Sequence, residues 1–398
     1  MLEGIKVLSF THYLQGPSAA QALADLGADV VKIEACKGAY ERGWSGCNTY
    51  KNGVSVFYLM ANRNQRDLAI DLKSEEGRET IYTLIRDKGY DVIIENFRPG
   101  VMDKLGLGYD ELKKVNPRII YAAVSGFGCY GPNSQRPGYD IIAQAVGGLM
   151  SISGHPGGQP TRVGSAMGDM LGGMNLTIGI LMALHARQLT GRGQRVDVAL
   201  VDSVVASLET GTQRYFASGK LPELMGNRYA AAYPYDSFAA TDGSFVIACG
   251  NDHLFQLLCE KVIHRPDLLT DPRFDSNLKR CDNHAALKPE IEKWTSLHTI
   301  DEAVKAVNAA GVPAAPINDM RRVTSDDSIA NVREMFVPLH HPVIGDMRVN
   351  GNPVKLLDMM PQITRHAPEL GQDNEAVYGE LLGLDAAALN EYREKHVI

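Results

Sequence analysis

The stretch "IKVLSFTHYLQGPSAAQALADLGADVVKIE", residues 5–34, decides the fold. It opens on an apolar strand, 5–10. A helix over 16–28 follows, with Pro17 early in its first turn and Gly27 at its end. A second apolar strand covers 29–34. The connections are short, and two strands joined through a helix pair in parallel. Reading outward, strands are expected at 66–72, 91–96 and 119–126, with helices at 74–89 and 99–107 between them. Strand and helix alternate to about residue 200, which predicts an α/β fold with a doubly wound parallel sheet. Residues 141–152 and 170–188 read as two buried helices, and 194–211 as a strand and then a helix.

After residue 217 the texture changes. Residues 230–252 read as a hairpin turning at "TDGS", 241–244, and charged helical stretches run to about 325. Strands are then expected within 341–356 and helices within 374–398. The expected organisation is a large domain begun by 1–217, a smaller domain over 225–325, and a return to the large domain over 330–398.

The 398 residues are 44% hydrophobic and 22% charged, with a net charge of -7. Without a basic excess to neutralise phosphates, nucleic acid is not an expected partner. The six cysteines are scattered, form no C-x-x-C pair, and stand at no metal-ligand spacing with histidine. A reduced, cytoplasmic chain without a metal is the simplest reading. No signal peptide opens the sequence. No continuous apolar run reaches the ~18 residues of a membrane span. The nearest approach is "NLTIGILMALHA", 175–186, so no membrane association is expected.

The first strand–helix turn, "SFTHYLQGPSA", lacks G-x-G-x-x-G. Glu34 does end the second strand, where a ribose-binding acid sits in dinucleotide folds. One feature of two leaves an NAD-dependent oxidoreductase as a remote alternative. The cations are more telling. Lys73 follows the third strand, Asn96 and Arg98 follow the fourth, Lys104 lies just beyond, and Arg136 precedes "PGYD". Ligands of parallel sheets bind outside the carboxyl ends of the strands, where such residues converge on phosphates. Each alone also reads as an ordinary solvated loop residue. His12 and Gln15 stand in the first loop, where binding residues concentrate. Tyr40 and Trp44 either line a pocket or pack. Tyr139 and Asp140 precede a helix that Asp140 is placed to cap. In "GSAMGDMLGG", 164–173, Asp169 sits among glycines and methionines. It is either the N-cap of the apolar helix that follows or an acid with a chemical task.

The chain resembles the family III CoA-transferases, a group containing formyl-CoA and carnitine CoA-transferases and the α-methylacyl-CoA racemases. The resemblance rests on residues 8–34, on "AIDLKSEEGR" (69–78) and on "IIENFRPGVMDKLGLGYDELKKVNPRIIYAAVSGFG" (93–128). It extends through "GYDIIAQAVGGLM" (138–150), "GDMLGGMNLTIGILMALHARQLTGRGQRVDVAL" (168–200) and "PYDSFAATDG" (234–243). It implies a Rossmann-like large domain built from both termini, a smaller α+β domain, and an interlocked homodimer. It implies Asp169 as the active-site carboxylate. It further implies coenzyme A held by Leu14, Gln15, Lys73, Asn96, Phe97, Arg98, Lys104, Arg136 and Tyr139. The implied reaction moves CoA from an acyl-CoA donor to a small carboxylic acid acceptor, through aspartyl anhydride and aspartyl-CoA thioester intermediates. The sequence departs from some relatives at Ala35, where they carry a basic residue, and lacks a Gly-rich loop in the second domain. The racemases pair a later Asp with the His of a "GHD"-like segment. Here that segment is "GYD", 138–140, with Tyr139 in the His position. An unperturbed tyrosine titrates near ~10, so transfer is expected and α-methylacyl-CoA racemisation is the alternative.

Overall fold

The computed structural model describes residues 1–398. β1 (Lys6–Phe10) and β2 (Asp29–Glu34) lie parallel and are joined by α1 (Gln15–Asp25). The sheet grows with β3 (Arg66–Ala69), β4 (Val92–Glu95), β5 (Ile120–Ser125) and β6 (Arg195–Ala199). Its order is β3-β2-β1-β4-β5-β6, all parallel. The chain thus winds outward from β1 in both directions. β1 and β4 are neighbours whose following loops part in opposite directions, which opens a crevice at the carboxyl ends.

Both faces of the sheet are covered, as a parallel sheet requires. On one face Ala19, Ala20 and Leu23 of α1 pack with Leu176, Ile180 and Ala183 of α4 (Met167–Thr190) over Val7, Ile94 and Val124. Between α1 and α4 in sequence lie α2 (Glu75–Asp87) and α3 (Asp140–Val146). On the other face Ile81 and Leu84 of α2 pack with Leu8, Phe10 and Leu68, joined by Val377 and Tyr378.

The chain divides into two compact units. One comprises Met1–Leu149, Arg162–Thr212 and Asp327–Ile398; the other comprises Met150–Thr161 and Gln213–Asp326. Met150–Thr161 thus groups with the second unit, although the sequence reading sets it in the first domain. In the second unit β7 (Tyr235–Ala240) and β8 (Gly243–Ala248) form the expected hairpin, and β9 (Ala314–Pro316) adds to β8 antiparallel. Phe238, Phe245, Leu287 and Val307 lie in its core.

Several expectations change. The helix read over 99–107 is four residues, Val101–Lys104, and β3 stops at Ala69. α3 and α4 are only half buried: Ile141, Ile142, Val146, Met174, Ile178 and Met182 stand exposed. α4 is long and apolar enough to cross a membrane by length and composition alone, although no continuous apolar run in it reaches the length of a span. A search for an unbroken apolar run misses it, because glycine and threonine interrupt the run without making the helix polar. One side of it packs into the core. Leu176 and Ile180 are fully buried, and Arg187 pairs with Asp91 at 2.8 Å.

Candidate active site

The loops at the carboxyl ends of β1, β4 and β5 line an open cavity of about 930 Å³. The loop after β1 supplies His12, Tyr13 and Leu14, and α1 begins with Gln15. Asn96 fastens this loop to the exit of β4. It accepts from the His12 N–H at 2.8 Å and donates to the His12 carbonyl at 2.7 Å. The amide read from the sequence as a ligand group is therefore occupied as a clamp between two loops. Phe97 and Arg98 continue from it into the cavity wall.

After β5 the chain makes a close approach to itself. A Cβ at Gly126 would lie 2.7 Å from Gly138 Cα, so only glycine lets the "RPGYD" loop lie against the strand exit. That loop brings Arg136, Tyr139 and Asp140 to the cavity. The Arg136 guanidinium lies over the Phe127 ring, 4.7 Å from its centroid.

Asp169 sits in the first turn of α4 and lines the same cavity. It does not cap its helix. The N-cap is Ala166, which has no side-chain cap bond. The cap comes from across space. Asp140 Oδ1 accepts from the Gly168 N–H at 2.8 Å, and its Oδ2 accepts from Gln144 Nε2 at 2.8 Å. Nor does Asp140 cap α3, whose N-cap is Tyr139. Gln144 Oε1 accepts in turn from the Val163 N–H at 2.9 Å, which ties down the chain leading to Asp169. Burial, and then the Asp140 charge, push the Asp169 carboxyl up to about 7. No cation bonds it, and it is a desolvated, basic carboxylate poised near neutrality.

The cavity mouth is aromatic. The Tyr13 ring meets Tyr40, Trp44 and Tyr139 at centroid distances of 6.1, 6.2 and 6.0 Å, and Trp44 packs edge-on to Phe57 at 4.7 Å. Tyr13 holds φ at +61°, a left-handed conformation that is costly for a bulky residue. Such strain persists where the surroundings over-determine it, and it concentrates at ligand clamps. Tyr13, Phe57, Ser125, Arg162 and Ala166 all line the cavity and were not singled out from sequence. Arg162 carried a signal, as the one cation in the stretch leading to Asp169. The others have none that spacing reveals.

Of the residues expected to bind CoA, Leu14, Gln15, Asn96, Phe97, Arg98, Arg136 and Tyr139 line the cavity with Asp169. Lys73 and Lys104 do not; both are exposed, beyond the ends of β3 and β4. Glu34 is enclosed rather than offered to a ribose. It accepts two bonds of 2.8 Å from Arg42 and one of 2.6 Å from the Ala39 N–H. Burial opposes its charge, but Arg42 and Lys32 outweigh this and hold it down at about 2. No group of three or more His, Cys, Asp or Glu side chains converges to hold a metal.

An open parallel sheet with a buried carboxylate in the cavity at its switch point makes this crevice the candidate active site of an α/β fold. The comparisons give the family. The model of CoA-transferase family III matches residues 2–374, and the chain belongs to that family and is a CoA-transferase. It is 39% identical over 386 residues to acetyl-CoA:oxalate CoA-transferase of Acetobacter aceti, covering 96% of each chain. It is 36% identical to formyl-CoA:oxalate CoA-transferase of Streptomyces coelicolor, over 100% of this chain and 99% of that one. Among solved structures, a CaiB/BaiF family protein from Brucella suis superimposes with a TM-score of 0.85 at 36% identity, covering 96% of this chain and 99% of that one.

Proposed function

We propose that this chain transfers CoA from an acyl-CoA donor to a small carboxylic acid, with Asp169 as the covalent nucleophile. The observation that carries the reading is Asp169 itself, stripped of water and lining a cavity whose rim bears cations. Asp169 attacks the donor thioester carbonyl, giving an acyl-aspartyl anhydride and CoA thiolate. The thiolate attacks the aspartyl carbonyl, releasing the donor acid and leaving an aspartyl-CoA thioester. The acceptor carboxylate then forms a second anhydride, and thiolate completes the transfer. Every intermediate is hydrolysable, and an apolar, ring-lined cavity keeps water from them.

Two of the cations expected at CoA, Lys73 and Lys104, lie outside the cavity. The reading places its acyl and pantetheine end along Leu14, Gln15, Phe97 and Tyr139, and its phosphates against Arg98 and Arg136. Lys73 and Lys104, outside the cavity on the same end of the sheet, reach the nucleotide. The Rossmann-like sheet unit is the CoA-binding domain and the hairpin unit the small domain. Two copies join as a homodimer, and the exposed apolar faces of α3 and α4 support this. The protein works in the cytoplasm without a metal. Oxalate, the acceptor in the names of two relatives, heads the acids to try. Tyr139 in place of histidine favours transfer over racemisation.

Lys73→Ala and Lys104→Ala are expected to weaken CoA binding by roughly 1–3 kcal/mol each, as charge-assisted contacts do. Dephospho-CoA binding should change less. Calorimetry with both ligands checks this, and unchanged CoA affinity in both variants would move the nucleotide elsewhere.

The pH profile is a further test. Only ionised Asp169 attacks, and its carboxyl is held up at about 7. The kcat/KM for the acyl donor, which reports the free enzyme, should rise about tenfold per pH unit below that value and level off above it. Asp140→Asn keeps an acceptor for Gly168 but removes the charge, so the rise should move to lower pH. An unmoved profile would detach Asp140 from Asp169.

A further inference from the structure

A run of buried charge behind the cavity wall has no part in the anhydride chemistry. His12 lines the cavity, its side chain 28% exposed and its ring centroid 5.4 Å from that of Phe97. Its Nδ1 is shut off from solvent and lies 3.4 Å from Glu41 Oε2, which makes no hydrogen bond. Glu41 is fully buried, and its Oε1 lies 3.5 Å from Nζ of Lys32, also fully buried. Lys32 donates to the Thr11 carbonyl at 2.8 Å. Burial opposes the Glu41 charge, but His12 and Lys32 outweigh it and hold its carboxyl below the usual range. The His12 backbone is gripped from both sides by Asn96. Burying a carboxylate and an ammonium is costly.

The arrangement is that of an oriented base. A carboxylate faces the inner ring nitrogen and favours the tautomer with the proton there. That leaves Nε2 as the basic nitrogen for whatever occupies the cavity. Facing the ring are Glu41 with Lys32 behind it, and Phe97 from the exit of β4. Tyr13, Tyr139, Asp140, Asp169, Arg98, Arg136 and Arg162 share the cavity.

We propose that His12 holds the sulfur of CoA as a thiolate between the covalent steps, with Glu41 as its positioning residue; this rests on the reading of Asp169 as nucleophile. The acyl-CoA thioester brings no proton, so in this route Nε2 takes one from solvent before the donor binds. When Asp169 displaces CoA, the C–S bond breaks, its electron pair stays on sulfur, and the thiolate pairs with that imidazolium. If CoA enters as a thiol, Nε2 takes the S–H proton and the same ion pair results. The proton returns to sulfur when CoA leaves. A thiol with an ordinary pKa of about 8.5 is mostly protonated at neutral pH, and a protonated sulfur cannot attack the anhydride.

The ultraviolet absorbance of the thiolate tests this in the binary complex with CoA alone. Wild type and Asp169→Asn should both hold about tenfold more thiolate at pH 7 than free CoA. His12→Asn should return it to the level of free CoA. Glu41→Gln should lose about threefold, while His12→Asn, at a partly exposed position, tests the idea even if Glu41→Gln does not fold. In turnover, His12→Asn should lower kcat by about 10²-fold with little change in donor KM. Equal thiolate titration in wild type and His12→Asn, or an unchanged kcat, overturns the role of His12. Failure of the underlying reading looks different: Asp169→Asn would keep its turnover, or CoA would not bind at all.

Discussion

Asp169→Ala stops CoA transfer and leaves the fold and CoA binding in place. The expected loss is at least about 10³-fold in kcat, because on the proposed mechanism no other group replaces the covalent nucleophile. Trapping with hydroxylamine or borohydride should find the acyl or CoA adduct on Asp169 in wild type and nowhere in the variant. Turnover within a few fold of wild type would remove Asp169 from the mechanism. Removing the carboxylate has a second, opposite effect. The folded protein holds this carboxyl up at about 7 against an ordinary 3.8, so it binds a proton that the unfolded chain has released. Between those two values stability falls as pH rises, and above the upper one the full penalty remains. Asp169→Asn removes the charge, and should stabilise the protein at pH 8 by on the order of 2–4 kcal/mol while changing little at pH 3. Thermal unfolding at the two pH values reads this directly. A variant less stable than wild type at pH 8 would contradict the desolvated carboxylate.

The sheet was legible because its strands are short apolar runs at regular intervals and each is followed by an amphipathic or capped helix. β1, β2, β4 and β5 fall within a residue or two of their expected spans, since burial on both faces leaves a continuous apolar signal. β3 is shorter than read because Asp71 turns to another partner, donating its N–H to the Val397 carbonyl. That contact spans most of the chain, and no local pattern announces it. In the site, Asp169, Arg98 and Tyr139 could be marked by their positions after strands or before helices. Capping could not. The acid that satisfies Gly168 comes from Asp140, on another helix, and sequence proximity pointed each acid to its own helix instead. The left-handed turn at Tyr13 and the buried Glu41 behind His12 are likewise products of tertiary packing. A composition with ordinary charge content hides where the buried charges are.

The tightest constraint on the site is a glycine rather than a charge. α1 and α4 cross so closely that a Cβ at Gly173 would lie 2.1 Å from Ser18 Oγ and 2.7 Å from the Gln15 carbonyl oxygen. Ser18 Oγ itself donates to that carbonyl at 3.0 Å, so the hydroxyl is already committed to the same spot. Gln15 begins the helix that carries the first cavity loop, and Gly173 lies one turn beyond Asp169, so this contact sets the spacing between the two. Gly173→Ala must push the helices apart, because the obstacle is backbone. Overpacking of this kind typically costs about 1–3 kcal/mol, and a shift of about 1 Å in a catalytic group can cost on the order of 10²-fold in rate. We expect both losses in Gly173→Ala. Adding Ser18→Ala should relieve little, since the Gln15 carbonyl remains. Gly172→Ala is the contrasting case. Its Cβ would lie 2.5 Å from Leu200 Cδ2, the end of a core side chain rather than backbone. It should therefore retain most of its stability and activity. Urea unfolding and transfer kinetics on the three variants decide the matter, and a Gly173→Ala enzyme as stable and active as Gly172→Ala would show that the crossing does not set the site.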